Sequence, residues 1–219
     1  MSESTSVDLA ALLCSRLCHD MLSPVGAFAN GLELLATEKD PAMRQNCMEL
    51  LEQSALISTN KLKFFRLAFG AAGGFGDRVP VEEPRELIEA LVRDKGRIEI
   101  EWAISEANLA KSAVKVLLNF AQIGVDALVR GGTLTIGAER RGGACEIVLR
   151  ASGPKVAFDE TIGAALDGPL APEELSSRTA AAHMIHLLAV DVGGQLQYAV
   201  EEGALVLGAV LPEGEGLIG

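Results

Sequence analysis

The sequence predicts an α + α/β protein: an N-terminal antiparallel helical hairpin followed by an α/β sandwich. Three observations carry this. Apolar residues recur at steps of three and four between residues 7 and 69. A glycine-rich stretch, "GAAGGFGD" at 70 to 77, ends that pattern. Beyond it, helical segments alternate with short β-rich runs, which suits a mixed sheet with helices on one face. The division expected is a hairpin over 1–70, a linker over 71–77 and a sandwich over 78–219.

The first helix carries Leu13, Leu17, Met21, Pro24, Phe28, Leu32 and Leu35 along one apolar stripe. Asp40 is an N-cap residue and Pro41 suits the first helical position, so a second helix begins there and stops at Gly70. Its apolar residues include Met43, Cys47, Leu50, Leu51, Ile57, Phe64 and Phe65. A lone hairpin cannot cover two wide apolar faces. A second copy would complete a dimeric four-helix bundle, with Ile57 and Phe64 on the shared face. The other solution is cover from the C-terminal half of the same chain. In that half, "EEPRELIEALVRD" reads as a helix and "RIEIEWAI" as a strand. "EANLAKSAVKVLLNFAQIGVDALVRG" reads as one long helix, and "TLTIGAER" with "ACEIVLRAS" as a strand hairpin. "APEELSSRTAAAHMIHLLAVDVG" reads as a helix, and "QLQYAVEE" with "ALVLGAVLP" as two closing strands.

The chain has 219 residues, 49% of them apolar, and a formal net charge of −11. That balance argues against nucleic acid, whose binders need a basic footprint, and against anionic membrane surfaces. No apolar run is long enough to span a bilayer, and the acidic N-terminus lacks the basic region of a signal peptide, so a cytoplasmic location is expected. The four cysteines, Cys14, Cys18, Cys47 and Cys145, include no CxxC pair. Cys14 and Cys18 beside His19 suggest a metal site, but further ligands are missing; reduced, mostly buried thiols are the simpler expectation. No metal or cofactor is expected on this chain.

The candidate reactive residue is His19. At about 100° per residue it lies about 200° from Leu17, opposite the apolar stripe. Its surface neighbours are Ser15, Arg16, Ser23, Gly26 and Asn30, small or polar residues that let another protein come close. Asp20 can orient the imidazole or take its proton, which leaves a neutral ring competent as a nucleophile near neutral pH. Ser23, one turn on, can contact a phosphoryl group. Pro24 lacks an N–H, so it frees carbonyls and loosens the helix. Gly26, Ala27, Asn30 and Leu34 continue the same face and form the expected docking surface, with Arg16 supplying positive charge.

The run His19-Asp20-Met21-Leu22-Ser23-Pro24 resembles the H-box of histidine kinases, H-[DE]-x-x-[STN]-P, in the first helix of a dimeric hairpin. The resemblance implies that His19 is phosphorylated. The C-terminal half is similar to the ATP-binding domain of the same family: "LLNFAQIGVDALVRGGTLTI" to its N-box helix and strand, "LRASGPKVAFD" to its G1 segment. The departures decide the matter. Ile123 stands where the kinase has a second, metal-holding asparagine after Asn119. Ala151 stands where an Asp reads adenine, Lys155 replaces a glycine, and "RTAAAHMI" lacks glycine entirely. Asp126 and Asn119 are candidate remnants of the nucleotide site.

A phosphorylatable histidine without an ATP site needs another donor. The chain thus resembles the dimeric histidine phosphotransferases of phosphorelays, built on a histidine-kinase-like scaffold. The resemblance implies transfer from the receiver domain of a hybrid histidine kinase to His19, then to the Asp of response regulators. The receiver would supply Mg²⁺. The alternatives are a divergent active histidine kinase and a non-catalytic regulator that binds a kinase. His183 and His186, three apart on a helix, are read as surface or core-edge residues, and Trp102 as core packing.

Overall fold

The computed structural model describes residues 3–70 and 77–213, so most of the expected linker, residues 71–76, lies outside the described residues. The chain begins with two long antiparallel helices, α1 (Glu3–Thr37) and α2 (Pro41–Phe69). Asp40 starts the second: its carboxylate accepts the Met43 N–H at 3.1 Å, with Pro41 at the first helical position. The connection is also held from Arg44, whose guanidinium donates to the carbonyls of Leu35 and Glu38. Gly31 of α1 lies directly against Leu51 of α2, where a Cβ would come within 2.9 Å of the leucine side chain. This is the close-approach glycine of the hairpin.

The second half is a five-stranded sheet of β2 (Ile98–Ile104), β4 (Gly132–Arg141), β5 (Ala144–Ser152), β7 (Ala204–Pro212) and β6 (Gln195–Glu201), in that spatial order. β2 and β4 run parallel and the other neighbours antiparallel. Alternate residues point to the helical face: Leu134 and Ile136, Ile147 and Leu149, Leu205 and Leu207 are all fully buried. Four helices cover that face, α3 (Glu82–Lys95), α4 (Lys111–Ala127), α5 (Glu160–Asp167) and α6 (Ala180–Asp191). Central α4 contributes Val114, Leu117, Leu118 and Phe120, each without exposed surface. The end of the sheet is closed by Glu213, whose carboxylate meets the guanidinium groups of Arg78 and Arg140.

Four readings need correction. The expected long helix from Glu106 starts late, because Asn108–Ala110 forms β3, paired antiparallel with the unexpected β1 (Arg78–Pro80). Leu109 is buried by that pairing, and tertiary contact overrides helical propensity. The expected helix from Ala171 is broken into a 3₁₀ turn at Pro172–Glu174 and α6. Ser176 and Thr179 explain the break: each side-chain oxygen accepts the other's backbone N–H, which competes with helical bonding. Helix α5, capped by Asp159, escaped the sequence reading. Phe64 is not on an outer bundle face. It is 6% exposed and packs with Phe65 and Ala68 into the core of the C-terminal half.

The cover for the hairpin is therefore divided. Its open end, with Leu17, Met21 and the last turns of α2, packs against the sandwich. Further along, Leu22, Val25 and Leu32 of α1 and Met43 and Leu50 of α2 stay exposed.

Candidate functional site

The site forms where α1 passes the sandwich. His19 sits on the outward side of α1, with 87% of its side chain exposed. In the tautomer protonated at Nδ1 it donates to Asp20 Oδ1 at 3.3 Å, which leaves the lone pair on Nε2. Arg16, one turn earlier and mostly covered, brings Nε to 3.9 Å from Asp20 Oδ2.

Pro24 explains a further contact. It has no N–H for the carbonyl four residues back, so the Asp20 carbonyl loses its helical donor. Lys61 of α2 replaces it, with Nζ donating to the Asp20 oxygen at 3.0 Å. Helix α1 thus runs through a buried proline without interruption, and the turn that carries His19 is tied to α2. The freed carbonyl follows from the sequence, but the lysine that takes it is seen only in the fold.

Ser23, Ala27, Asn30 and Leu34 are exposed and Gly26 is half-buried, on the flank of α1 that carries His19. A Cβ at Gly26 would meet nothing within 4 Å. The face is smooth, and no packing among the described residues requires its glycine.

His19, Asp20 and Arg16 also form one wall of a cleft of about 430 Å³. Its floor comes from Asn119, Ile123 and Asp126 of α4, and its far wall from Phe158, Asp159 and Arg178. The far wall was not anticipated, because α5 was not. A second cavity, of about 460 Å³, lies on the other side of Arg16 and Asp20, between the hairpin, α3 and α4.

The cleft is poor in nucleotide chemistry. Asn119 is 3% exposed, and its amide N–H is spent on the Lys115 carbonyl at 2.8 Å. Ile123 offers only hydrocarbon to the space. Ala151 is buried on β5 beside Gly124, and Lys155 is exposed. At the start of α6, Ala180, Ala181 and Ala182 are buried and place methyl groups where a phosphate loop needs bare backbone. Asp126 is engaged by Lys95 at 3.4 Å and Gln122 at 2.8 Å. Asp159 accepts from the Thr161 side chain and backbone and from Arg178, and these donors hold its carboxyl down at about 2.

The remaining candidates fall outside the cleft. His183 is buried, its Nδ1 has no partner among the described residues, and burial, then the neighbouring His186, lower its pKa. His186 is half-buried and donates from Nδ1 to the Leu166 carbonyl at 2.9 Å. Trp102 is partly buried under the Arg85 guanidinium, 5.2 Å from the ring centre. Contrary to the expectation of mostly buried thiols, Cys14 and Cys18 are exposed; Cys47 and Cys145 are buried, and burial first of all pushes Cys145 up to about 11. Among the described residues no three His, Cys, Asp or Glu side chains gather into a metal-binding group. No described helix is long and apolar enough to cross a membrane.

A hairpin with an exposed histidine, joined to a sandwich with Ile123, Ala151 and Lys155 at the positions that resemble a nucleotide site, points to a class of protein. The sequence profile of the family described as "Histidine phosphotransferase C-terminal domain" matches residues 81–204, more than half the chain, and the chain belongs to the histidine phosphotransferase family. It is 40% identical over 135 residues to the protein phosphotransferase ChpT of Brucella abortus (strain 2308). That match takes in 62% of this chain and 63% of the relative, so the chain matches less than two thirds of the relative's length. A solved structure described as a bacterial phosphotransferase superposes with a TM-score of 0.79 at 30% identity, over 95% of this chain and 97% of that one.

Proposed function

We propose that the protein is a histidine phosphotransferase of a two-component phosphorelay. Nε2 of His19 attacks the phosphorus of an aspartyl phosphate on the receiver domain of a hybrid histidine kinase. The P–N bond forms as the P–O bond to the carboxylate breaks, and the reverse chemistry passes the group to the Asp of a response regulator. The observation that carries this reading is the imidazole itself: nearly all in solvent, held at Nδ1 by Asp20 and free at Nε2. Asp20 keeps the ring in the attacking tautomer and balances the charge that develops on it. Ser23 contacts the incoming phosphoryl group, and the receiver brings the Mg²⁺. Transfer is then mainly a matter of positioning two carriers in line.

Residues 1–70 act as the phosphotransfer and dimerisation unit, residues 71–77 as a linker and residues 78–219 as an ATPase-like unit that no longer takes a nucleotide. The dimer is supported by the apolar residues left open on the hairpin, with Leu22 at 70% exposure and Leu50 at 57%. The receiver docks along Gly26, Ala27, Asn30 and Leu34, beside Arg16.

The test is incubation with a phosphorylated receiver domain and the wild-type or His19→Ala protein. Acid-labile, base-stable label on the wild type and none on the variant is expected; label on His19→Ala would put the carrier elsewhere. Labelling of the protein by millimolar Mg·ATP alone would favour a divergent kinase instead.

A further inference from the structure

The cleft beside His19 persists although the groups that would hold a nucleotide are absent, and its far wall presents a guanidinium. Arg178 donates from one nitrogen to Asp159 Oδ2 at 2.7 Å, its remaining N–H groups have no partner among the described residues, and 71% of its side chain is exposed. It stands in the same 430 Å³ space as His19. The charges around that space make the arrangement consequential. Asp20, Asp126 and Asp159 all border it, against Arg16 and Arg178. Asp126 is matched by Lys95, and Asp20 by Arg16. A phosphoryl group on Nε2 of His19 brings up to two further negative charges to this acidic rim. Arg16 lies on α1 itself and is mostly covered, whereas Arg178 stands on the far wall, largely in solvent, with donors to spare.

We propose that Arg178 holds the phosphoryl group of phosphorylated His19, bridging it to Asp159, so that the sandwich serves as a clasp for the phosphohistidine of its own chain. The guanidinium fork suits this, because one edge can stay on a carboxylate while the other meets two phosphoryl oxygens. Asp159 anchors the arginine and stays ionised, since Thr161 donates to it from both backbone and side chain. This inference rests on the reading of His19 as the phosphoryl carrier and gives the C-terminal half a task in place of nucleotide binding.

The test separates the two ideas by phosphorylating the full chain chemically with phosphoramidate, with no receiver present. The ³¹P resonance of the phosphohistidine is then followed from about pH 6 to 9, the range around phosphate ionisation. A cation at the phosphoryl group favours the dianion. Arg178→Ala should therefore raise the apparent ionisation pKa, weakening the acid about threefold or more, and Arg178→Lys should fall between. Asp159→Asn, which keeps a side chain able to cap α5, should leave that pKa unchanged or lower it, because it releases the arginine and removes a negative charge. Coincident titration curves for wild type, Arg178→Ala and Arg178→Lys would overturn the clasp, as would equal upward shifts in Arg178→Ala and Asp159→Asn. Normal titration differences with no transfer from any receiver would uphold the clasp and sink the phosphorelay reading. Failure of phosphoramidate to label His19 at all would sink both.

Discussion

Leu117, Leu118 and Phe120 of α4 have no exposed surface, whereas Leu22 of α1 keeps 70% of its surface in water and Leu50 of α2 keeps 57%. The sandwich closes its own core between one sheet face and four helices. In the hairpin Leu9, Cys47 and Leu51 are buried away from that core, and Phe64, Phe65 and Ala68 join it at one end. The difference teaches what each half is for. A closed core supports a fixed cleft wall, while the open apolar flank and the polar His19 face are where the proposed dimer and receiver contacts would form.

The contrast can be broken most sharply in the sandwich. Phe120→Ala should cost about 3–5 kcal/mol of stability in urea unfolding, since a fully buried ring is removed from close-packed neighbours. Leu22→Ala, measured on dilute protein, should cost a small fraction of that. Equal losses would mean that Leu22 is buried in solution even at low concentration. The next effect belongs to the open flank. Leu22→Glu combined with Leu50→Glu should weaken self-association at least tenfold in sedimentation while the melting of the sandwich stays in place. A wild-type monomer at micromolar concentration would remove the dimer altogether.

Docking effects come third. Gly26→Phe and Asn30→Arg should weaken receiver binding more than tenfold, about 1.4 kcal/mol, with the circular dichroism unchanged. No neighbour would meet a Cβ at Gly26, so the loss should be one of access. The transfer rate at saturating receiver should fall less than the rate at low receiver. Unchanged transfer at low receiver would move the docking surface off this face. The smallest effect is a pH slope inside the sandwich. Burial lowers the pKa of His183, so the unfolded chain binds the proton more readily. Stability should be full above the unfolded value, about 6.5, and fall as pH drops below it. His183→Phe should flatten that fall, and an unaltered slope in the variant would assign it to other groups.

Much of the hairpin could be read from sequence because local rules decide it. Asp40-Pro41 stops one helix and starts the next, and residue spacing alone turns His19 outward. The exposure of Leu50 also follows from an excess of apolar positions over available partners. Where long-range pairing decides, the reading failed. Asn108–Ala110 becomes a strand only because Arg78–Pro80 lies beside it, and Phe64 is claimed by a core that starts after the glycine-rich stretch. The wall facing His19 stayed hidden for the same reason. Asp159 and Arg178 acquire meaning only when α5 and the Ser176–Thr179 knot bring them together.

Pro24 and Lys61 carry a consequence for inheritance. The proline withholds a donor from the Asp20 carbonyl, and the lysine supplies one from the other helix. Neither residue is a free choice once the other is present. A lineage that lost the lysine first would leave a carbonyl unanswered at the turn bearing its reactive histidine. One that lost the proline first would find the lysine released from duty and open to drift. The two positions should therefore change in a preferred order, and a second change to an ordinary helix former at 24 should rescue much of the damage of Lys61→Met. The history of this hairpin would then show as sign-dependent epistasis between a residue that has no N–H to donate and one that donates in its place.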